Sequence, residues 1–389
     1  MLKIQTYNNI SVKGLEQFSR TRYEVASEMG HADAVLLRSH KLATTEITNT
    51  VKAIARAGAG VNNIPVDFCS EQGIPVFNTP GANANAVKEL VLTALLLASR
   101  GIVKGINFVN TQDNISDKSA FNKMLEKEKK RFSGQEIQGK ILGVVGLGAI
   151  GSKVADMALK LDMQVLGYDP AISVEAAWRL SSKVKKVDNL QSLLSACDYI
   201  TLHLPAIDAT RHTINKDALS SIKPGAKLLN FAREEVVDSD AVIESLDANM
   251  LGMYITDFPS PKLIGREDVL LMPHIGASTA EAEENCAVMA ANQLQDFLEN
   301  GNIKNSVNFP ALYLERSAGH RIGFANMNVP KVLSSVLNIF ADNNINVIDI
   351  LNKSRNDIAY NLIDLDKQAT DKLIQEIAKV EGVIKVHTF

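Results

Sequence analysis

The sequence is short of the features that mark several large classes of protein. No charge of one sign dominates its 389 residues, because 41 Lys and Arg face 44 Asp and Glu and leave a net charge of −3. That balance gives no general attraction to nucleic acid or to an anionic membrane, so any anion has to be bound locally. The charge-free apolar run from Leu90 to Ser99 is about half of the ~20 residues that a helix needs to cross a bilayer. We therefore expect neither a nucleic-acid partner nor a membrane span.

Cysteine is scarce as well. Cys69, Cys197 and Cys286 are widely separated and form no C-x-x-C pair, which argues against a disulfide framework and against a zinc site. The segment MLKIQTYNNI at residues 1–10 has neither the basic start nor the apolar core of a secretory signal. These observations predict a cytoplasmic protein with buried thiols and no metal site.

What is present indicates a folded α/β protein. Hydrophobic residues make up 46% of the chain and charged residues 22%, and at about 150 residues per domain the length predicts two or three domains. Residues 1–98 alternate short apolar runs with helical stretches, and a helix from about Asn83 to Ser99 closes this block. The segment from Asn107 to Gly139 is polar and rich in charge, so we interpret it as a solvated helix or loop.

The periodicity returns strongly from Lys140. Six apolar runs follow, which suit a parallel sheet covered by helices on both faces: KILGVV, MQVLGYD, YITLHLP, KLLNFAR, GMYITDF and VLLMPHIG. A long amphipathic helix is predicted from about Ser278 to Asn300, with Gly301 suited to the left-handed stop after it. Residues 320–389 read β-α-β-β-α-β, the order of a ferredoxin-like module.

The clearest motif is a glycine pattern directly after the first of those six runs. It consists of Gly146, Leu147, Gly148, Ala149, Ile150 and Gly151. In this context the first glycine makes a tight turn, the second lets the backbone approach a pyrophosphate, and the third allows close packing of helix on strand. Asp169 ends the next run, where a carboxylate would accept hydrogen bonds from the ribose hydroxyls and repel a 2′-phosphate. The motif therefore predicts NAD rather than NADP, against the alternative of a structural glycine turn with a helix-capping Asp.

Catalytic candidates follow other strands of the same predicted sheet. Arg233, Asp257 and His274 each come at the carboxyl end of an apolar run, the edge where open α/β sheets bind ligands. A histidine can accept the hydroxyl proton when a hydride leaves an alcohol carbon, and an arginine can hold a carboxylate. The pair suits a 2-hydroxy acid, although Arg233 alone could pair with Glu234 or Glu235 and His274 could cap a strand. His203, Pro205 and Gly276 are assigned to the lining of the cofactor site rather than to catalysis.

At these residues the chain resembles the D-isomer-specific 2-hydroxyacid dehydrogenases over nearly its whole length. Besides the glycine motif, the matching stretches are Ala57 to Asn63, Val76 to Gly81, Lys223 to Ala226 leading to Asn230 and Arg233, and Pro273 to Thr279. The resemblance implies a flavodoxin-like substrate domain from residues 1–98 and 279–308, a Rossmann-like doubly wound NAD domain from residues 99–278, and a ferredoxin-like (ACT) regulatory domain at residues 318–389. It places the substrate in the cleft between the first two.

The resemblance also implies an activity and its residues. It points to members that oxidise 3-phosphoglycerate to 3-phosphohydroxypyruvate with NAD and without a metal, as the first step of the phosphorylated serine pathway. Arg233 would hold the substrate carboxylate, His274 would be the acid–base, and Asp257 would lie near the nicotinamide carboxamide. Further substrate contacts are implied for Arg38, Ser39 and Arg56 at the phosphate, and for Gly60, Val61 and Asn78 at the carboxylate. A homodimer or homotetramer is implied, with L-serine as an effector through Asn328 and Asn346.

Three departures from the family pattern bear on these roles. The glutamate that usually follows the strand-ending Asp and bonds the catalytic histidine is missing from Thr256–Pro261, so Asp257, Glu267 or Asp268 replaces it or His274 works without one. Glu234 follows Arg233 where the family has Gly, and it could compete for the guanidinium. Lys331 stands in the ACT-type loop where Gly is common.

Two alternatives stay open at this point. One is a dehydrogenase or reductase for another small D-2-hydroxy acid. The other is a non-catalytic protein that senses NADH on the same frame, because fold does not dictate function.

Overall fold

The computed structural model describes residues 1–317 and 319–389, and it divides into two compact units. The central unit is Ala84–Ser278, and the split unit combines Met1–Asn83 with Thr279–Phe389. Among the described residues, no helix has both the length and the apolar character needed to cross a bilayer. Each unit is built around parallel β-structure, which confirms the predicted α/β class.

The split unit begins with a five-stranded parallel sheet in the order β2-β1-β3-β4-β5. Its elements are β1 (Leu2–Tyr7), α1 (Val12–Leu15), β2 (Tyr23–Ala26), β3 (Ala34–Leu37), β4 (Ala53–Arg56), α2 (Val66–Glu71) and β5 (Val76–Phe77). This is the flavodoxin-like order that was expected. Strand β3 is buried along its whole length, as the unbroken run AVLL predicts. Strand β1 presents no such run, because it alternates buried and partly exposed positions.

The central unit holds a seven-stranded parallel sheet in the order β12-β11-β10-β9-β6-β7-β8. Its strands are β6 (Ile141–Val145), β7 (Gln164–Tyr168), β8 (Lys185–Lys186), β9 (Tyr199–Leu202), β10 (Ala226–Asn230), β11 (Leu251–Thr256) and β12 (Val269–Leu271). Its helices are α3 (Ala84–Ser99), α4 (Ile102–Asn110), α5 (Lys118–Glu128), α6 (Ala149–Lys160), α7 (Val174–Trp178), α8 (Leu190–Ala196), α9 (Lys216–Ser220) and α10 (Ser239–Asp247). The order confirms a doubly wound nucleotide fold whose switch point lies between β6 and β9. The charge-rich segment contains helix α5, and no residue of that helix is buried.

Helix α3 packs with the central unit, whose first residue is Ala84. Its side chains Val87, Val91 and Leu95 share a core with Leu142 and Val144 of β6. The helix is therefore part of the layer that covers the nucleotide sheet, a packing that chain order alone does not reveal.

Helix α11 (Ala280–Asn300) returns the chain to the split unit. The Thr279 hydroxyl accepts a hydrogen bond from Ala282 N at 3.1 Å and caps its first turn. Gly301 ends it with φ +72°, which confirms the predicted left-handed stop.

The carboxy-terminal segment forms the predicted β-α-β-β-α-β module. Its elements are β13 (His320–Met327), α12 (Val332–Asp342), β14 (Val347–Arg355), β15 (Ile358–Leu365), α13 (Asp371–Ala378) and β16 (Val383–Thr388), with the antiparallel order β14-β15-β13-β16. One face of the sheet packs on α12 and α13. The other face adds Tyr360 and Leu362 to a core with Phe297 of α11 and Phe309. The module thus belongs to the split unit, and Ala318, its expected first residue, lies outside the described residues.

Candidate active site

The glycine loop after β6 is shaped by two close approaches of backbone. Gly146 has φ +89°, and a Cβ at this position would lie 2.6 Å from His203 O. A Cβ on Gly151 would lie 1.9 Å from Gly146 O, so the start of α6 can pack on the loop only with glycine there. A Cβ on Gly148 would meet nothing within 4 Å. Open space therefore faces the residue that precedes the first turn of α6, where Ala149 and Ile150 present backbone amides without helical partners.

Asp169 follows β7 and is tied to the same loop. Its carboxylate accepts hydrogen bonds from Leu147 N at 2.8 Å and from Ala171 N at 3.0 Å. The side chain is half-buried, so it is held at the loop yet remains in reach of a ligand. This placement fits the predicted position of a ribose-binding acid.

His203 follows β9 and lies beneath Gly146. Its Nε2 is 3.0 Å from Thr201 Oγ1, and its Nδ1 is buried with no hydrogen-bond partner in the described chain. Burial lowers the pKa of His203 to about 3, so the ring stays neutral at physiological pH. Pro205 is exposed, and its carbonyl accepts a hydrogen bond from Thr210 Oγ1 at 2.5 Å. A neutral ring suits the lining of a cofactor site better than proton transfer.

The residues around the glycine loop fit NAD. The glycine loop offers open space at Gly148, free amides at the start of a twelve-residue helix, and an acid in place beside them. The unpartnered Nδ1 of His203 lies at the neighbouring strand end. A pyrophosphate at helix amides and a ribose at a carboxylate are the contacts that such a site provides.

Asp257 fastens the loop that carries His274. It follows β11, is only 2% exposed, and accepts hydrogen bonds from Ile275 N at 2.7 Å and Gly276 N at 2.6 Å. A Cβ on Gly276 would lie 2.9 Å from Asp257 Oδ2, so the approach depends on glycine. His274 itself is exposed and has φ +56°, a left-handed conformation that is uncommon outside glycine. Both oxygens of Asp257 thus bond to backbone next to the predicted acid–base.

Arg233 and His274 meet the same aromatic ring. The centroids of the Phe258 and His274 rings are 4.7 Å apart, and Arg233 Cζ lies 5.8 Å from the Phe258 centroid. Arg233 Nη1 also donates to Ala232 O at 2.7 Å. Among the described residues Arg233 makes no ion pair with Glu234. The structure therefore shows no competition of the Glu234 carboxylate for the Arg233 guanidinium. The structure therefore brings together the two residues that carried the sequence prediction.

The other carboxylates proposed to replace the missing glutamate have partners of their own. Glu267 Oε2 is 3.0 Å from Lys104 Nζ, and Asp268 accepts two hydrogen bonds from Arg266 at 2.9 and 2.8 Å. Within the described central unit, no carboxylate forms a hydrogen bond or an ion pair with the His274 imidazole.

The substrate residues expected near the phosphate lie at the carboxyl ends of β3 and β4 in the split unit. Arg38 Nη2 pairs with Glu283 Oε1 of α11 at 2.5 Å, with both side chains about two-fifths exposed. Ser39 is exposed, and its amide donates to Asn8 Oδ1 at 3.0 Å. Arg56 donates from Nε to Arg38 O at 2.9 Å and from Nη1 to Gly60 O at 2.6 Å. The two arginines are thus neighbours, and Arg56 also braces the following loop.

That loop and Asn78 form the rest of the expected substrate set. Asn78 Nδ2 donates to Ala59 O at 2.6 Å. This hydrogen bond joins the loop that contains Gly60 to the end of β5. Val61 is half-buried and lines a shallow groove with Ile64 and Phe68. The structure brings these residues together within the split unit.

The predicted effector residues are in the carboxy-terminal module. Asn328 donates from its amide to Asp357 O at 2.8 Å and from Nδ2 to Asn356 O at 3.1 Å. The amide of Asn346 donates to Asp366 Oδ1 at 2.9 Å. Lys331 has φ +76°, the conformation that a glycine at this position would adopt more easily.

Sequence reasoning missed two residues that shape these sites. Phe258 was quoted only as part of a strand end, although an aromatic residue directly after the edge acid was a usable signal. Glu283, the partner of Arg38, lies 245 positions away on α11, and no local pattern indicates that contact.

Comparison with known proteins agrees with this architecture. The profile of the D-isomer specific 2-hydroxyacid dehydrogenase NAD-binding domain matches residues 92–276. D-3-phosphoglycerate dehydrogenase of Haemophilus influenzae is 32% identical over 364 residues, covering 90% of this chain and 84% of that protein. The Synechocystis enzyme of the same name is 35% identical over 74% of this chain, which spans about half (51%) of that longer protein.

A solved structure is also similar to this chain. The NAD+-bound 3-phosphoglycerate dehydrogenase of Entamoeba histolytica shares 27% identity, covers 79% of this chain and 98% of its own, and has a TM-score of 0.61.

The doubly wound sheet and its glycine loop, together with the matching NAD-binding domain, are those of an NAD-dependent dehydrogenase. The chain belongs to the D-isomer-specific 2-hydroxyacid dehydrogenase family. The predictions of NAD as cofactor and of an NAD-dependent D-2-hydroxyacid dehydrogenase are confirmed. Membership favours the enzyme over the NADH-sensing alternative.

Proposed function

We propose that the enzyme oxidises 3-phosphoglycerate to 3-phosphohydroxypyruvate, the first step of the phosphorylated serine pathway. The observation that carries the proposal is the meeting of Arg233 and His274 on Phe258, at the carboxyl edge of the nucleotide sheet. The relatives named D-3-phosphoglycerate dehydrogenase supply the choice of substrate.

The chemistry divides between the two residues. Arg233 binds the substrate carboxylate through its fork of donors and polarises the oxygen on carbon 2 as it becomes a carbonyl. The His274 imidazole takes the proton of the hydroxyl on carbon 2. NAD, which the glycine loop and Asp169 would hold, would supply the acceptor for the hydride of that carbon. The products are the 2-oxo acid, NADH and one proton, which His274 releases to solvent from its exposed position.

The phosphate is assigned to Arg38, Ser39 and Arg56, and the substrate carboxylate also to Gly60, Val61 and Asn78. The ion pair of Arg38 with Glu283 is no obstacle, because a pair this exposed is worth only about 0–1 kcal/mol. A phosphate dianion offers Arg38 more charge and more acceptors than that carboxylate.

A second candidate is oxidation or reduction of another small D-2-hydroxy acid or 2-oxo acid. The same contacts favour it, since Arg38 already has a carboxylate partner and Arg56 donates two hydrogen bonds to backbone. An unphosphorylated substrate would leave these bonds in place.

Initial rates separate the two candidates. We expect kcat/KM for 3-phosphoglycerate to exceed that for glycerate and for 2-hydroxyglutarate. Arg38→Ala should lower kcat/KM for 3-phosphoglycerate by about 10- to 100-fold through a lost charge-assisted contact and leave glycerate unchanged. Arg22→Ala, which removes another exposed arginine–glutamate pair of the split unit, is the matched control. A preference of the wild type for an unphosphorylated acid would favour the second candidate.

We further propose a homodimer or homotetramer, and L-serine as an effector at Asn328 and Asn346. Helix α4 supports an assembly, because Ile102, Ile106 and Val109 are 42%, 56% and 44% exposed on a helix with no buried residue. Light scattering tests the assembly. A serine titration tests the effector, and a rate that serine leaves unchanged removes it.

A further inference from the structure

Phe258 lies between the two proposed catalytic residues. Burial of an apolar side chain does not by itself explain this position. It is half-buried, directly follows Asp257, and its ring contacts both His274 and Arg233. We propose that Phe258 is a positioning residue that orients the His274 imidazole and the Arg233 guanidinium in place of a carboxylate. The proposal rests on the proposed function, because it assigns Phe258 to the same site.

The backbone that carries the Phe258 ring is fixed by hydrogen bonds to the core of the nucleotide sheet. Phe258 N donates to Thr256 Oγ1 at 3.0 Å, and Thr256 Oγ1 in turn donates to Asn230 O at 3.1 Å. Thr256 and Asn230 are fully buried at the ends of β11 and β10. The backbone of Phe258 is therefore fixed to the core of the nucleotide sheet, and the ring projects from a rigid strand end.

The contact with His274 is a ring contact. The two centroids lie 4.7 Å apart with an angle of 52° between the planes, within the range of favourable tilted aromatic pairs. Asp257 fixes the backbone that follows His274 through the amides of Ile275 and Gly276. Backbone and ring are thus restrained from two consecutive residues, Asp257 and Phe258.

The contact with Arg233 lies on the same ring. Arg233 Cζ is 5.8 Å from the centroid, close enough for attraction between the cation and the ring. Arg233 also donates to Ala232 O, so two contacts restrict the guanidinium. A single side chain thereby fixes the spacing between the carboxylate-binding cation and the proton acceptor.

A carboxylate does not perform this task in the described central unit. Asp257, Glu267 and Asp268 bond to backbone amides, Lys104 and Arg266 respectively. The imidazole orientation consequently depends on Phe258. Misplacing a reacting group by about 1 Å can cost on the order of 100-fold in rate, so removal of the ring should act on kcat.

The test compares variants of the full chain loaded with NAD. Phe258→Leu removes the ring, and Phe258→Met does so with a longer side chain in case the leucine variant fails to fold. Phe258→Tyr retains the ring. The matched control is Phe108→Leu, because Phe108 is also half-buried in the central unit and also lies 5.8 Å from an arginine Cζ, that of Arg131.

Kinetics give the first readout. We expect Phe258→Leu and Phe258→Met to lower kcat by about 10- to 100-fold, with KM for NAD unchanged and KM for the hydroxy acid raised less than kcat falls. Phe258→Tyr should restore kcat to near the wild-type value, and Phe108→Leu should not change it. Wild-type kcat in both ring-free variants would overturn the proposal.

Nuclear magnetic resonance gives a readout that does not need turnover. In protein labelled at histidine Cε1, the His274 signal is identified by its loss in His274→Asn. This signal should move in Phe258→Leu and Phe258→Met, because the ring current is gone, and stay near its wild-type position in Phe258→Tyr and Phe108→Leu. A signal that does not move in the ring-free variants would overturn the proposal. Absence of turnover in the wild type with every hydroxy acid would instead contradict the proposed function, while the resonance comparison still decides the role of Phe258.

Discussion

At the scale of single residues, hydrogen bonds and backbone conformation set the geometry of this site. Asp257 was expected near the nicotinamide carboxamide, a role that stays a proposal, and the structure shows its carboxylate bonded to two backbone amides beside His274. A left-handed conformation at a non-glycine residue costs roughly 1–2 kcal/mol and persists only where surrounding contacts enforce it. The buried acid supplies that enforcement for His274.

This role predicts a stability defect in Asp257→Asn. The amide would turn an NH2 group toward one of the two backbone N–H donors, leaving a buried donor unsatisfied. We expect the free energy of unfolding to fall by about 2 kcal/mol, measured by urea denaturation. Asp117→Asn is the control, since this exposed acid caps α5 through Ala120 N and asparagine caps equally well. Equal losses in the two variants would contradict the role assigned to Asp257.

At the scale of elements, the carboxy-terminal sheet meets α11 through a buried histidine. His387 in β16 is 5% exposed, its ring lies edge-on to Phe297 at 5.7 Å, and its Nε2 has no hydrogen-bond partner in the described chain. Burial, with smaller effects from Lys385 and Lys52, lowers the pKa of His387 to about 3. Below pH 6.5, the ordinary pKa of histidine, the unfolded chain therefore binds a proton at His387, whereas the folded protein does not until the pH approaches about 3.

Stability of this packing should accordingly fall with acid. Between the two pKa values the unfolded state binds more protons, so the free energy of unfolding decreases as pH falls from about 6.5 toward about 3. His387→Phe should lose about 1.4 kcal/mol less than the wild type between about pH 7.5 and about pH 5.5, measured by denaturant titration at both values. The exposed His31→Gln should keep the wild-type slope. Parallel acid dependence in wild type and His387→Phe would refute this account.

Much of this architecture could be predicted because apolar runs encode buried strands. Six of the central strands, the glycine loop and the stop of α11 at Gly301 follow from local patterns. Strand β8 is two exposed lysines and carries no such signal. Contacts between distant positions, such as Phe258 with His274 or Arg38 with Glu283, depend on how strand ends and helices meet in space, so a single sequence does not display them.

At the scale of the whole molecule, the residues proposed for the cofactor and for catalysis belong to one compact unit. The central unit carries the glycine loop, Arg233 and His274, and the split unit carries Arg38, Arg56 and Asn78. Cofactor binding should therefore stabilise the central unit directly, because the residues proposed to contact NAD lie in Ala84–Ser278.

Gly148→Val tests that assignment. The new side chain meets no protein atom at its Cβ, so the fold should survive, but it enters the open space at the glycine loop. NAD at 100 times its Kd should stabilise the wild type by about 2.7 kcal/mol, seen as a shift of the thermal transition, and should not shift Gly148→Val. Gly30→Val, at an exposed glycine whose Cβ is equally unobstructed, should respond like the wild type. A full NAD shift in Gly148→Val would place the cofactor elsewhere.

The most direct measurement is the initial rate of NAD reduction with 3-phosphoglycerate by the wild type and by His274→Asn. If the imidazole accepts the hydroxyl proton, the variant should bind NAD as the wild type does while kcat falls by about 10²- to 10⁴-fold. An unaltered rate in His274→Asn, or a wild type that reduces no NAD with any small D-2-hydroxy acid, would contradict the assignment of the active site.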